Sequence, residues 1–318
     1  MSASDTMIEI AGVTKRYGET AVVDDVSLSV PRGAIAVIVG TSGSGKSTLV
    51  RMINRLVPMT GGKISVGGRD IMSLPATELR RGIGYAIQGH GLFPHRTVAA
   101  NIATVPQLLG WDRTRIERRV DELLALFNLD PAAFRGKYPH ELSGGQQQRV
   151  GVARALAAGP EVLLMDEPFG ALDPVIRGKA QDDLIAIQKQ FGTTVILVTH
   201  DMDEAFHLGD RIAVMSEGRL LQYATPEKIL AEPADPFVQQ LTGTAGRALK
   251  LMSLSPLKEG MEPPRPDLAY GLAQNVSLRD ALSEMIWRGI EEAAVEDGDK
   301  AQIGSISMRR LLQLGRRP

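Results

Sequence analysis

The sequence contains no cysteine, and this absence excludes disulfide bonds and thiolate metal sites. It also lacks an uncharged apolar run of about 18 residues, so we expect no segment that spans a bilayer. Residues 1–10 show no basic stretch followed by an apolar one, and we therefore expect no secretory signal. A net charge of -1 gives no general reason to expect nucleic-acid binding. We expect a cytoplasmic protein that reaches a membrane only through a partner.

The pattern of strands and helices changes near residue 243. With 318 residues, 43% hydrophobic and 23% charged, the chain has the composition of an ordinary globular protein with one large or two ordinary domains. From Ile8 to about Gly243, short apolar strands alternate with amphipathic helices, which is typical of a layered α/β domain. Ser255 to Asp267 contains four prolines and predicts a linker or an extended segment. We therefore predict two domains, at 1–243 and 244–318.

Three regions are expected within the first domain. The segments Val26–Val30 and Lys63–Val66, with glycine turns nearby, predict a separate antiparallel sheet. The aliphatic run Val162–Met165 predicts a central parallel strand. Between roughly 97 and 157 the pattern is mostly helical, and Asp112 is expected to cap a helix there.

A glycine-rich loop carries the strongest chemical signal. The strand Ala34–Val39 runs into this loop and a helix follows it, which is the context that a phosphate loop requires. Glycines let backbone N–H groups approach phosphates, and the helix N-terminus adds a favourable dipole. Lys46 is expected to reach the β- and γ-phosphates, and Ser47 to help hold Mg²⁺. The alternative is a glycine-rich turn without a ligand. The loop consists of Gly40, Thr41, Ser42, Gly43, Ser44, Gly45, Lys46 and Ser47.

A second glycine turn, Leu142-Ser143-Gly144-Gly145-Gln146, opens another helix. A helix N-terminus of this kind again favours an anion. A phosphate loop alone predicts only that a nucleoside triphosphate binds, so the second turn needs its own explanation. We interpret it as serving the nucleotide bound by another copy of this chain.

Four polar side chains stand at the ends of predicted strands. Asp166 and Glu167 end a buried strand, at the edge of the sheet where ligands bind. Asp166 can hold Mg²⁺ through water, which leaves Glu167 to orient or deprotonate the attacking water. His200 could hydrogen-bond a γ-phosphate, and Gln88 could contact Mg²⁺ or the attacking water. Each alone would be an ordinary turn or surface residue, but together with the phosphate loop they indicate triphosphate hydrolysis.

In this order, these segments resemble the nucleotide-binding subunits of ABC transporters over about residues 7–243. The resemblance implies an α/β fold: a P-loop NTPase core with an antiparallel β subdomain and an α-helical subdomain. It implies a hydrolysis-competent ATPase with ATP and Mg²⁺ as cofactors. Under it, Tyr17 stacks on adenine, although a tyrosine there could also be plain core. The resemblance places Ser42–Thr48 in the Walker A loop, with Thr48 as its last residue, Gln88 in the Q-loop and Leu142–Gln146 in the family signature. Asp166 is then the Walker B aspartate and Glu167 the catalytic base. Ala171-Leu172-Asp173 forms the D-loop, and His200 is the switch histidine.

The resemblance also explains the second glycine turn. Such domains pair head to tail, so that Ser143 and the N–H groups of Gly144 and Gly145, with Gln146 beside them, complete the site of the other subunit. Two ATP molecules then hold the two subunits together, and ATP hydrolysis lets the dimer open. The first implied partner is therefore a second copy of this chain.

Further partners follow from the importer-type members of the family. In these, the region matching Gln88–His95 receives a transmembrane permease subunit. Asn101–Pro106 and Trp111 resemble the subgroup that serves uptake of osmoprotectants and quaternary amines, such as glycine betaine, choline and carnitine. This implies an extracytoplasmic substrate-binding protein, a position at the cytoplasmic face of the bacterial inner membrane, and no nucleic-acid partner.

The C-terminal region, about 253–315, resembles a single CBS repeat, a small α+β unit appended to many osmoprotectant-import ATPases. Nucleotide-binding versions often have Ser/Thr-x-x-Asp, whereas here Ser307 is followed by Arg310 in the place of the aspartate. Ser277 is expected to cap a helix whose inward face is Leu278, Ala281, Leu282, Met285 and Ile286. A basic cluster predicts contact with anionic lipid or a solvated basic end; it comprises Arg309, Arg310, Arg316 and Arg317.

Several alternatives stay open at this point. The chain could serve an importer of amino acids or another small solute, or be a non-transport ABC ATPase acting on DNA or ribosomes. Long coiled-coil insertions, zinc motifs and tandem ATPase domains, typical of the latter, are missing from the sequence. Intact Glu167 and His200 argue against a purely regulatory binding module. An exporter is disfavoured by the free-standing domain and by the context of Gly91–His95.

Overall fold

A computed structural model describes residues 5–87, 91–170, 172–243 and 246–316. The chain divides into two compact units, Met1–Ala224 and Thr225–Pro318. This division falls before the boundary expected at 243, because the helix Pro226–Ala231 packs against Pro236–Thr242 and Arg247–Ser253 and so groups with the second unit. No candidate for a membrane-spanning helix is found within the described ranges.

The strands of the first unit form two sheets. They are β1 (Thr6–Tyr17), β2 (Thr20–Pro31), β3 (Ile35–Gly40), β4 (Gly61–Val66), β5 (Arg69–Asp70), β6 (Ile83–Ala86), β7 (Val162–Asp166), β8 (Thr194–Val198), β9 (Arg211–Ser216) and β10 (Arg219–Ala224). One sheet is antiparallel with the order β2-β1-β4-β5. The other has the order β10-β9-β3-β8-β7-β6, with only β10 antiparallel to its neighbour.

The burial of the strands explains this arrangement. Every residue of β3, β7 and β8 is buried, as expected for parallel strands covered on both faces. The predicted central strand at Val162–Met165 is confirmed. The predicted antiparallel sheet is also present, but β2 and β4 are not neighbours in it, because β1 lies between them and pairs with both. One apolar cluster contains buried residues of both sheets and of the helix after β3.

The helices of the first unit connect and cover these strands. They are α1 (Lys46–Ile53), α2 (Ala76–Gly82), α3 (Val98–Ile102), α4 (Thr104–Leu108), α5 (Arg113–Leu126), α6 (Pro131–Phe134), α7 (Gly144–Leu156), α8 (Pro174–Phe191) and α9 (Met202–Leu208). The Asp112 carboxylate accepts a hydrogen bond from the Arg115 N–H at 2.8 Å and so caps α5 as predicted. Gly192 ends α8 with a φ of 62°, a conformation that glycine adopts without strain.

The second unit has its own small core. Its elements are α10 (Pro226–Ala231), α11 (Pro236–Thr242), α12 (Arg247–Ser253), β11 (Gly271–Ala273), α13 (Leu278–Arg288), β12 (Glu292–Glu296), β13 (Gln302–Ser307) and α14 (Met308–Leu314). The strand β12 is parallel to β11 and antiparallel to β13. Buried side chains from α12, α13, α14 and all three strands form one apolar cluster.

The helix α13 matches the sequence prediction except at one residue. The Ser277 hydroxyl accepts a hydrogen bond from the Asp280 N–H at 3.0 Å and caps the helix. The side chains expected to face inward are buried, with the exception of Ile286, which is 60% exposed. The prediction for Ile286 is wrong because this residue lies about 100° beyond Met285 around the helix, outside the buried stripe. The buried stripe is formed by Leu278, Ala281, Leu282 and Met285.

Candidate functional site

The glycine-rich loop connects β3 to α1 and is anchored at both ends. Gly40 and Gly45 have φ angles of 152° and 94°. A Cβ atom on Gly40 would lie 2.1 Å from the Met215 carbonyl oxygen, and one on Gly45 would lie 2.4 Å from that of Val22. Only glycine therefore fits at these two positions. At Gly43, by contrast, a Cβ atom would meet nothing within 4 Å, so the middle of the loop faces open space.

Lys46 folds back onto this loop. Its Nζ donates hydrogen bonds to the carbonyl oxygens of Gly40 and Thr41, at 2.9 and 2.8 Å. Burial lowers the pKa of Lys46, whereas the charges of Glu167 and Asp166 raise it. A largely buried cation beside an open glycine loop at a helix N-terminus is suited to a polyphosphate.

Asp166 links the end of β7 to the first turns of α1. This carboxylate is 1% exposed. It accepts a hydrogen bond from the Ser47 hydroxyl at 2.7 Å, and its other oxygen lies 3.4 Å from Arg51 Nη2. Ser47 and Arg51 can reach one carboxylate because residues four apart share a face of a helix.

The pair Ser47 and Asp166 fits Mg²⁺ that arrives with a nucleotide. Mg²⁺ accepts hydroxyl and carboxylate oxygens and takes its remaining ligands from phosphates and water. Among the described residues there is no group of three or more His, Cys, Asp or Glu side chains that could hold a metal ion. The donor set therefore suits a phosphate-bound Mg²⁺ better than a metal held by protein side chains alone.

Glu167 and His200 face each other at the carboxyl edge of the sheet. Glu167 has a φ of 47°, in the left-handed region, where a non-glycine residue carries about 1–3 kcal/mol of strain. Its N–H donates to the Val198 carbonyl oxygen at 3.0 Å, which ties the end of β7 to the end of β8. The His200 Nδ1 lies 3.6 Å from Glu167 Oε1, with the two side chains 65% and 27% exposed. Water can reach both groups.

The second glycine turn is presented at the surface. Ser143 Oγ accepts a hydrogen bond from the Gln146 N–H at 3.4 Å, and Gln146 Oε1 accepts one from the Ser143 N–H at 3.0 Å, so the pair forms a capping box at the start of α7. A Cβ atom on Gly144 would meet nothing within 4 Å. Within the described ranges no hydrogen bond or ion pair joins this turn to the phosphate loop.

The remaining predicted residues are distributed as follows. Tyr17 ends β1 and is 56% exposed, which excludes the alternative that it is a core residue. The Lys15 ammonium lies 4.6 Å from the centre of its ring. Asp173 caps α8 by accepting a hydrogen bond from the Ile176 N–H at 3.1 Å. Gln88 and Ala171 lie outside the described residues.

Two arginines near the site were not picked out from the sequence. The Tyr85 hydroxyl beside Arg51 raises the pKa of Arg51. Its spacing of four from Ser47 is a signal that could have identified it. Arg177 contacts Leu172 and Asp201, but no local sequence pattern indicates which residue of another helix it meets.

Comparison with known proteins agrees with this geometry. The ABC transporter family model matches residues 23–170. YehX, the ATP-binding protein of a glycine betaine uptake system in Escherichia coli (strain K12), is 48% identical over 96% of this chain and 99% of its own length. OsmV, an osmoprotectant import ATP-binding protein of Salmonella typhimurium, is 42% identical over 95% of this chain and 80% of its own length.

Solved structures give the same result. CbiO1 from Clostridium perfringens, part of the ABC transporter complex cbiONQ, has a TM-score of 0.67 and 29% identity, covering 72% of this chain and 92% of that one. A dimeric ATP-binding cassette in a post-hydrolysis state, bound to ADP and Pi, has a TM-score of 0.63 and 33% identity, covering 69% of this chain and 99% of that one. The fold and the phosphate loop define a P-loop nucleoside triphosphatase. More particularly, the chain belongs to the ABC transporter family and is an ABC-type ATPase.

Proposed function

We propose that this chain is the ATP-hydrolysing subunit that energises an importer of quaternary-amine osmoprotectants. The observation that carries the proposal is the similarity to YehX, which extends over 96% of this chain, including the C-terminal unit. Other relatives act in the transport of carnitine, of choline, or of glycine betaine together with both. The solute common to several of these systems is a small trimethylammonium compound, and glycine betaine is the first candidate.

The roles of the site residues follow from their positions. Lys46 and the loop amides bind the β- and γ-phosphates, and Ser47 with Asp166 holds Mg²⁺, which supplies charge neutralisation on the phosphates. Glu167 orients or deprotonates the attacking water, and His200 contacts the γ-phosphate from the neighbouring strand. Gln88 is assigned to Mg²⁺ or the attacking water. Tyr17 stacks on the adenine ring.

The exposed capping box at Ser143 supports a site shared between two copies of the chain. An unobstructed helix N-terminus, with Gly144, Gly145 and Gln146 behind it, offers N–H donors to a γ-phosphate held by another subunit. Asp173, the last residue of the D-loop, caps α8. We assign it to the surface that carries the Ser143 capping box. We assign ATP the role of joining the two subunits and hydrolysis the role of releasing them.

The assembly around the dimer is part of the same proposal. Transmembrane permease subunits dock near Gln88–His95, an extracytoplasmic substrate-binding protein delivers the solute, and the ATPase works at the cytoplasmic face of the inner membrane. Residues 244–318, which include three strands and a capped helix around one core, are assigned as a linker and a single CBS-like regulatory unit.

The dimer is tested with the full chain carrying Glu167→Gln. This substitution keeps the size of the side chain but removes the base, so the variant is expected to bind Mg²⁺-ATP without hydrolysing it. Light scattering should report a dimer with ATP and a monomer with ADP. A monomer at saturating ATP would contradict the shared site.

The solute is tested with the complete transporter. The chain, co-purified with its permease and reconstituted with the binding protein, should hydrolyse ATP faster when glycine betaine, choline or carnitine is added. Stimulation by amino acids alone would refute the proposed substrate class and leave the ATPase assignment intact. Failure to co-purify with any permease would refute the role in transport.

A further inference from the structure

We infer that Arg177 is a positioning residue that couples the D-loop to the loop carrying His200. The inference rests on the proposed function, because it concerns two loops assigned to the shared ATP site. Arg177 lies in the first turn of α8. Its Nη2 donates to the Leu172 carbonyl oxygen of the D-loop at 3.1 Å, and its Nη1 lies 3.4 Å from Asp201 Oδ2. One guanidinium therefore holds both loops.

Asp201 is the residue through which Arg177 reaches His200. The Asp201 carboxylate caps α9 by accepting hydrogen bonds from the N–H groups of Asp203 and Glu204, at 2.9 and 3.2 Å. Its own N–H donates to Thr199 Oγ1 at 3.1 Å. His200 lies between Thr199 and Asp201 in the chain, and both of these neighbours are held by hydrogen bonds. A shift of Asp201 therefore shifts the backbone that carries the imidazole.

Two more contacts join α8 to α9 behind Arg177. Gln181 Nε2 donates to Glu204 Oε2 at 3.3 Å, and both side chains are buried. His207 Nε2 lies 2.9 Å from Asp182 Oδ1 at the surface. On α8, the buried contact is one helical turn after Arg177, so the two lie on the same face of the helix. The contacts make α8 and α9 move together, so that a displacement of the D-loop is transmitted to the switch histidine.

An arginine is suited to this role because its donors point in fixed and different directions. A lysine ammonium has the charge but lacks the planar fork that reaches a carbonyl and a carboxylate together. The Nε of Arg177 is buried and has no hydrogen-bond partner among the described residues.

The test compares ATP hydrolysis by the full chain with hydrolysis by Arg177→Met, Asp201→Asn and the double variant. Asparagine caps a helix as well as aspartate does, so Asp201→Asn removes the charge and keeps the cap. Each single variant is expected to lower kcat by about tenfold, the effect of losing one charge-assisted hydrogen bond. The KM for ATP should stay within about twofold, since the proposed nucleotide-binding residues include neither Arg177 nor Asp201. The kcat of the double variant should lie within about twofold of the lower kcat of the two single variants, because both changes break the same link.

Three results would overturn the inference. They are an unchanged kcat in Arg177→Met, a KM that rises as kcat falls, and a double variant whose loss equals the product of the single losses. Arg113→Met, which breaks an exposed ion pair with Glu117 on α5, is the control and should hydrolyse ATP at the normal rate. Thermal unfolding should show that every variant is folded at the assay temperature, so that a lower kcat does not come from loss of native protein.

A parallel measurement separates this inference from the proposed function. Glu167→Gln should abolish hydrolysis. If it does not, the assigned site is wrong whatever Arg177 does. If Glu167→Gln abolishes hydrolysis while Arg177→Met retains the normal kcat, only the positioning role fails.

Discussion

Replacing Glu204 with glutamine is expected to remove a pH dependence from the stability of the first unit. Glu204 is 5% exposed, and its Oε2 accepts a hydrogen bond from the buried Gln181 Nε2 at 3.3 Å. Burial, together with the nearby charge of Asp201, raises the pKa of Glu204 from 4.5 to about 7, against smaller opposing effects of the hydrogen bonds from Gln181 and Thr199 and of the charge of Arg177. Glutamine can keep an amide oxygen in place of Oε2 and carries no charge at any pH.

The direction of the effect follows from the two pKa values. Between pH 4.5 and about 7 the native state keeps the proton on Glu204, whereas the unfolded state loses it. The native state therefore binds more protons in this window, and its stability falls as the pH rises through it. A shift of this size corresponds to about 3 kcal/mol, and above pH 7 the free energy of unfolding is lower by this whole amount. The glutamine variant should not lose this free energy.

The assay is urea unfolding of the full chain at pH 5 and pH 8, followed by tryptophan fluorescence. The chain has 2 tryptophans, Trp111 in the first unit and Trp287 in the second. A Trp287→Phe background leaves Trp111 as the only reporter, so that the transition belongs to the first unit alone. Trp287 is 86% exposed, so this change should be neutral.

Two outcomes of this assay can be distinguished. Glu204→Gln should gain stability relative to the parent as the pH rises from 5 to 8, by an amount approaching about 3 kcal/mol. The exposed control Glu19→Gln should show no such change. An equal difference between Glu204→Gln and its parent at both pH values would refute the reasoning.

Three further predictions concern the nucleotide site. Gly45→Ala should abolish ATP binding measured by fluorescence titration, because its Cβ would lie 2.4 Å from the Val22 carbonyl oxygen; Gly110→Ala, where the φ is 72° but space is open, should bind normally. Ser47→Ala should weaken binding of ATP with Mg²⁺ more than binding in EDTA, and an equal loss in both conditions would contradict its role. Tyr17→Ala should raise the KM for ATP about tenfold with kcat unchanged, as for loss of one stacked base, and Tyr17→Phe should restore it.

The strand ends that carry the chemistry could be predicted from the sequence because their signals are local. The apolar run Val162–Met165 in β7 identifies a covered parallel strand, and the carboxyl edge of such strands then brings Asp166 close to the phosphate loop. Caps such as Asp112 and Ser277 are equally local, since a side chain bonds an N–H three residues on. Neighbour relations between strands are not local. The strands β1 and β2 follow each other through a short turn, but the pairing of β1 with β4 joins strands that β2, β3 and α1 separate in the sequence, and no pattern within these segments indicates it.

The link between α8 and α9 was beyond sequence reasoning for the same physical cause. Arg177, Gln181 and Asp182 lie on α8, where the spacing shows only that Arg177 and Gln181 share a face. Which residues of α9 they meet depends on how the two helices pack on the sheet, and packing is decided by tertiary contacts. The residues with the clearest motifs are those that contact nucleotide in the proposed site. The residues that hold these groups in position belong to no recognisable sequence motif. A search for motifs therefore finds the reacting groups and passes over the residues that join one loop to the next.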